Sequence, residues 1–467
     1  MVFCLSPIVI NKSYSYYSCR NVTVKDNILA KELLNCFENY EFFGEFFENE
    51  CSNKGRFVAK IKYSPEKGLQ LEYSISDNEA PNSCERLFGV LSNGNRCTLI
   101  GDFNFDYGTH HVGEVCVKSG IHGFKHLVLG DFINKDQLIE YMNFTFNGMQ
   151  EFIHPQTRIS QLKYQESSIV EVENEDWRIE VNNKAIYIPI QHDLKNIVDS
   201  NDKEAKTKFD IALDVLEKEN PKAYFRQRKS LTHYIEYSTK ELEDVENCIK
   251  GMTEIASLFS ILMSRPVFPD EIELKLSGKS TIVNVLNSMV LETKTVELAK
   301  KELRHELMPL NWKQLDMSAV FLNWFKVYDD FRVLSTVHQY ETGYRTLHYA
   351  HSDIVLYSVQ LESINLDLGG NSTTKYIKPI ETYASLELCL KLKETFKKVG
   401  HDDLGEAISI LRNELAHVGR PKKMMKLLNI NDYIEIGRML KLIVISHLFS
   451  KLSIALEQTH KYQNRLM

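Results

Sequence analysis

Residues 401–423, HDDLGEAISILRNELAHVGRPKK, decide how this chain reads. Gly400 closes one helical pattern, and Asp402 or Asp403 can cap the next. Leu404, Ala407, Ile408, Leu411 and Leu415 then recur at the spacing of a helix with one buried stripe. Gly419 and Pro421 stop it, so a helix is predicted over 402–418. Off the stripe, at the end of this helix, stand Arg412, Asn413 and His417. Asn413 and His417 are one turn apart, while Arg412 lies about 100° round from Asn413, with a side chain long enough to lean across.

These three side chains suit RNA cleavage without a metal. A guanidinium holds a phosphate bidentately and offsets the charge growing on it, an imidazole moves a proton near neutral pH, and an amide orients either. The ribose 2′-hydroxyl as internal nucleophile would make RNA the substrate. One histidine is short of the acid and base pair that such a reaction prefers, and a two-fold dimer would supply the second. Arg420, Lys422, Lys423 and Lys426 follow at once, where phosphate neutralisation would be useful. Spacing alone does not discriminate, because Arg followed by His after four to six residues also occurs at Arg228/His233, Arg332/His338 and Arg345/His351. The distinguishing features are the Asn directly after Arg412, the amphipathic helix beneath and the helix stop beyond.

Working outward, the apolar period predicts helices over 318–336, 352–366, 374–399 and 432–459, an antiparallel bundle with short connections. Before them come a helix over 241–263 stopped by Arg265-Pro266, a strand over 271–276, and a mostly polar helix over 202–219 ended by Asn220-Pro221. The front of the chain reads as β-rich. Phe57, Ala59, Ile61 and Tyr63 alternate with Val58, Lys60 and Lys62, and Asn93-Gly94 between apolar runs marks a hairpin. Further strands are predicted over 160–164, 177–181 and 185–190, and a short helix around 29–37. The fold class is therefore α+β: a β-rich part over 1–300 and an all-α bundle over 301–467.

The 56 basic and 63 acidic residues give a net charge of −7, which argues against a polycation that coats nucleic acid and requires a local basic patch for any RNA contact. The nine Cys are scattered without a CxxC pair, which favours reduced thiols in a cytosol over a disulfide framework or zinc ribbon. No run approaches the roughly 20 apolar residues of a membrane helix. The amino terminus MVFCLSPIVINKS lacks the layout of a secretory leader, so a cytoplasmic protein is expected.

RNELAH at 412–417 resembles the Arg-Asn-x-x-x-His signature of HEPN ribonuclease domains. VQLESI at 359–364 resembles the ApeA-like HEPN helix that carries a glutamate, here Glu362. FFGEFFENE at 42–50, IKYSPEKGLQLEY at 61–73 and LFGVLSNGNRCTLIGDF at 87–103 are similar to the ApeA amino-terminal domain, so the resemblance runs from about residue 38 to about residue 455. It implies a single-protein anti-phage system acting by abortive infection. The front half would sense a phage-encoded trigger or gate the enzyme, and a HEPN homodimer would cut RNA, with tRNA anticodon loops as the expected target and no metal or cofactor. Arg412, Asn413 and His417 carry over as catalytic, and Glu362 either as catalytic or as an ion-pair partner of Arg412.

Rival readings are a non-catalytic RNA- or nucleotide-binding module and a nucleotide-sensing regulator whose bundle only oligomerises. A metal site from His110, His111, Asp102 and Asp106 is disfavoured because adjacent residues on a strand face opposite ways. The aromatic residues at 42–47 read as sheet core, with base stacking as the alternative. The glycines of GDFNFDYG at 101–108 lack the strand, loop and helix setting of a phosphate loop.

Overall fold

A computed structural model describes residues 34–49, 55–76, 83–105, 108–112, 115–190, 194–222, 225–337 and 347–467. Among them, fourteen strands join in one antiparallel sheet. In chain order they are β1 (Tyr40–Phe47), β2 (Phe57–Ser64), β3 (Gly68–Ser76), β4 (Cys84–Leu91), β5 (Arg96–Phe103), β6 (Thr109–Val112), β7 (Val115–Phe124), β8 (His126–Leu129), β9 (Ile139–Phe146), β10 (Val170–Glu173), β11 (Trp177–Pro189), β12 (Arg226–Thr239), β13 (Pro269–Leu276) and β14 (Ile282–Asn287). Their spatial order is β10-β11-β12-β9-β13-β14-β8-β5-β4-β1-β2-β3-β7-β6. Helices α1 (Met149–Ile153), α2 (Leu194–Ile197), α3 (Lys203–Glu219), α4 (Val245–Met263) and α5 (Thr293–Lys300) interrupt or follow the strands. The helical part comprises α6 (Met317–Val337), α7 (Leu347–Asp367), α8 (Ile377–Tyr383), α9 (Leu386–Lys397), α10 (Leu404–Ala416), α11 (Ile430–Lys451) and α12 (Leu456–Leu466).

Local sequence explains the regular parts. On β2 the alternation buries Phe57, Ala59, Ile61 and Tyr63, with Phe42 of β1 opposite Ile61. Gly94 takes φ 83° in the turn between β4 and β5, a left-handed conformation that glycine adopts without strain. One core gathers Phe46, Ile61, Leu71, Leu87, Leu99 and Leu127 in the first half of the sheet. A second runs without interruption from Met142, Ile179, Ile235 and Leu274 of the sheet into Trp324, Leu361, Leu411 and Leu440 of the bundle.

Helix α4 makes that continuity. Phe259 packs at a tilt against Phe146 of the sheet, 4.3 Å between ring centres, and also meets Phe321 of α6 edge-on at 6.1 Å. Trp324 Nε1 donates to the Glu254 carbonyl at 2.8 Å, and the Tyr462 hydroxyl donates to the Ile261 carbonyl at 2.6 Å. The bundle is thus built on a helix that the chain order places between β12 and β13. No helix among the described residues is long and apolar enough to cross a membrane.

Several expected elements differ. The stretch 374–399 forms two helices, α8 and α9, because Ser385 caps α9 through the Leu388 N–H and its own N–H is held by Gln463 Oε1 at 2.6 Å. The stretch 432–459 is likewise divided into α11 and α12 by a turn in which Ser453 has φ 62°. Residues 160–164 are not a strand; the chain there leaves a 3₁₀ turn over Gln156–Gln161. The two strands expected over 177–190 are the single β11, bulged between Ile186 and Tyr187. The helix around 29–37 lies mostly outside the described residues, and 34–39 form turn and irregular chain.

Candidate active site

The helix that carries the site, α10, starts at Asp403, whose side chain accepts the Glu406 N–H at 2.7 Å. Leu404, Ala407, Ile408 and Leu411 are buried, and Leu415 packs against the core at its edge. The last helical residue is Ala416, and His417 is the C-cap, with an extended backbone but its N–H still donating to the Asn413 carbonyl at 3.2 Å. His417 therefore stays one turn above Asn413, on exposed chain that continues through Val418, Gly419 and Arg420.

Arg412 and Asn413 are half-buried. Arg412 Nη1 donates to Asn413 Oδ1 at 3.1 Å, so the guanidinium does lean across the helix surface. Its Nε is buried and has no hydrogen-bond partner among the described residues.

Glu362 comes from α7 and is not ion-paired to Arg412. Its Oε1 accepts from the Tyr376 hydroxyl and from Lys375 Nζ at 3.3 Å. Burial opposes ionisation of this carboxyl, but the Tyr376 and Lys375 hydrogen bonds and the charges of Lys375 and Arg412 outweigh it and hold it below the usual carboxylate range. The same contact, added to burial, pushes the Tyr376 phenol up. Arg412 is thus close enough to Glu362 and Tyr376 for its charge to be felt at both. Tyr376 and Lys375 escaped the sequence reading because both lie just before α8, in a stretch read as continuous helix.

The basic residues after α10 divide. Arg420, Lys423 and Lys426 are exposed. Lys422 instead donates to the carbonyls of Glu414 and His417, the latter at 2.7 Å, and so caps the end of α10. The sequence reading also missed Glu414, only 5% exposed, although a carboxylate three residues after Leu411 falls on the buried stripe and is a signal in itself.

The other candidates do not assemble. His110 and His111 are exposed on β6, paired with Val117 and Cys116, and Asp106 lies outside the described residues. No group of three His, Cys, Asp or Glu able to hold a metal occurs among the described residues. Phe46 and Phe47 are core, whereas Phe43 is exposed. Of the repeated Arg/His spacings, Arg228 donates to the Ile159 carbonyl at 2.9 Å, and His233 is buried, which with His154 nearby lowers its pKa to about 4. His338 and Arg345 lie outside the described residues.

Comparison with known proteins finds no matching curated protein and no matching solved structure. Two families do match. Residues 357–458 fit the family described as Apea-like HEPN, an interval that contains Glu362, Tyr376 and the whole of α10. Residues 41–324, more than half of the chain, fit the family described as ApeA N-terminal domain 1 and take in the entire sheet except the start of β1. The chain therefore belongs to the ApeA-like proteins, with an ApeA N-terminal domain 1 leading into an Apea-like HEPN domain.

Proposed function

We propose that this protein is a metal-independent endoribonuclease of the HEPN class that acts in anti-phage defence by abortive infection, with a domain border near residue 300. HEPN domains are generally ribonucleases, which supports the coarse reading. The observation that supports the finer one is the end of α10, where a half-buried guanidinium rests on the Asn413 amide and the exposed residue His417 follows one turn later, its N–H on the Asn413 carbonyl.

In the proposed reaction, Arg412 holds the scissile phosphate and Asn413 fixes the guanidinium plane. The 2′-oxygen attacks phosphorus as its proton passes to a base, and the bond from phosphorus to the 5′-oxygen breaks as that oxygen takes up a proton. The products are a 2′,3′-cyclic phosphate and a 5′-hydroxyl. His417 is one of the two proton-transfer groups, and a second copy of the chain across a two-fold axis would bring the other. Glu362, kept ionised by Tyr376 and Lys375, would orient or restrain the Arg412 guanidinium. Arg420, Lys423 and Lys426 would neutralise flanking phosphates, and tRNA anticodon loops are the proposed substrate.

A toxic ribonuclease must be restrained, and the large sheet carries no catalytic constellation of its own among the described residues. We assign it the gating role, responding in the cytoplasm to a phage-encoded trigger. The test is end-group analysis of tRNA treated with purified full-length protein, alone and with extract of phage-infected cells, each with and without EDTA. Cyclic phosphate and 5′-hydroxyl ends that persist in EDTA and vanish in His417→Ala support the reading. Retarded but intact RNA would instead leave a binding module, and EDTA-sensitive cleavage would require a metal.

A further inference from the structure

We infer that Glu414 is a positioning residue that locks the segment carrying His417 and the flanking cations onto the end of α10. The inference rests on the ribonuclease reading above for its catalytic consequence, but its geometric content stands apart from it.

Glu414 occupies a place where the stripe of Leu404, Ala407, Ile408 and Leu411 calls for an apolar side chain. A carboxylate survives such burial only when its oxygens are satisfied. Its partners are three successive backbone N–H groups. Oε1 accepts from Lys423 at 3.0 Å and Met424 at 3.2 Å, and Oε2 accepts from Met425 at 2.9 Å. These are donors at the start of the 3₁₀ turn Met424–Lys426, where a helical N-terminus presents unpaired N–H groups that favour an anion.

The return contact runs the other way. Lys422 donates to the carbonyls of Glu414 and His417, acceptors that the helix end leaves unpaired. A side chain of α10 therefore grips the backbone of residues 423–425, while the side chain of Lys422, just before them, grips the backbone at the end of α10. Tyr433 of α11 adds a third tie, its hydroxyl donating to the Met425 carbonyl at 2.7 Å. His417, on otherwise exposed chain, is held between these anchors. Without the Glu414 carboxylate, three N–H groups lose their acceptor and residues 417–426 lose the tie that fixes them to α10.

The test uses the full-length chain with its histidine ring carbons labelled, comparing the wild type with Glu414→Ala, Glu414→Gln and Lys422→Met by NMR and by turnover of RNA. In Glu414→Ala the His417 ring signal should shift or broaden, while those of His233 and His447, buried elsewhere, stay in place. Turnover should fall roughly ten- to a hundred-fold with little change in KM, the expected cost of a misplaced group. Glu414→Gln keeps an acceptor oxygen and should recover part of the loss. If Glu414→Ala does not fold, Lys422→Met, which unties the other half of the latch, carries the same expectation. A folded variant whose His417 signal does not move overturns the inference. A wild type without RNase activity even when extract of phage-infected cells is added, combined with a His417 signal that does move, would sink the ribonuclease reading and leave the positioning role intact.

Discussion

The Arg412 guanidinium is tethered to its sequence neighbour, with Nη1 donating to Asn413 Oδ1 at 3.1 Å while Nε is buried without a partner among the described residues. An amide acceptor orients the guanidinium without neutralising it, so the charge stays available to a phosphate. Asn413→Ala should free the side chain and lower turnover on RNA about tenfold, since a hydrogen bond to a charged group contributes about 1.5 kcal/mol. Asn413→Asp should cost more, because a carboxylate there competes with phosphate for Arg412. Steady-state kinetics on the two variants would check this, and equal losses would argue against a competing charge.

The carboxyl of Glu362 titrates below its ordinary range despite burial, chiefly through Tyr376 and then Lys375. A depressed folded-state value means that its contribution to stability is present above the unfolded carboxyl value and is lost as pH falls through the folded one. Tyr376→Phe removes the hydroxyl donor and should move the acid limb of the pH–activity profile upward. It should also weaken the protein toward acid, leaving the alkaline limb unchanged. Profiles of kcat for both proteins would show it, and superimposed acid limbs would count against Glu362 acting near Arg412.

Each chain offers one exposed histidine at the end of α10, and the proposed reaction moves two protons. Specific activity should therefore rise with protein concentration through the range in which sedimentation detects dimer, and reach a plateau once dimer is complete. Activity per chain that stays constant while the protein is monomeric would rule out a site shared between copies.

How much could be read from residues alone depended on whether the forces were local. The helix α10 was evident because its stripe is short, regular and bracketed by Gly400 and Pro421. The break at Ser385 was not, because the apolar period runs on through it. What ends α8 there is an N-cap hydroxyl reinforced by Gln463, 78 residues away, and no local pattern announces that contact. Strand β12 begins with polar residues, Arg226 to Ser230, that pair only with β11, so alternation is muted where the hairpin projects beyond the sheet. Around the site, Arg412, Asn413 and His417 stood out as an ordered set, whereas Tyr376, Lys375 and Glu414 owe their roles to neighbours brought in by folding.

Cutting the chain at residue 280 to release the bundle should fail as a test of gating, because α4 goes with the part removed. Phe259, Leu262 and Ile255 of α4 belong to the same core as Trp324 and Phe321. Exposing that face should give a fragment that binds hydrophobic dyes and lacks a cooperative unfolding transition. Phe259→Ala in the full chain should destabilise by about 3–5 kcal/mol, the usual cost of emptying a core aromatic site. If sheet and bundle unfolded independently, this substitution would lower only one of two transitions in calorimetry, and the shared core would have no energetic meaning.

Asp270 on β13 gives the sheet a pH dependence of the opposite sign to that of Glu362. Burial pushes its carboxyl up to about 6, opposed by a hydrogen bond from Thr145 and reinforced by the charge of Glu271. With the folded-state value above the unfolded one near 3.9, the native protein binds the extra proton between about pH 4 and pH 6, and stability falls as pH rises across that window. The ceiling on this loss is about 3 kcal/mol, and water reaching the partly exposed residue should reduce it. Asp270→Asn removes the titration, so in urea midpoints the variant should gain on the wild type from pH 4.5 to a little above pH 6 and then hold that gain to pH 7.5. A difference between the two proteins that is flat over that range would mean that the carboxyl is solvated in the folded state.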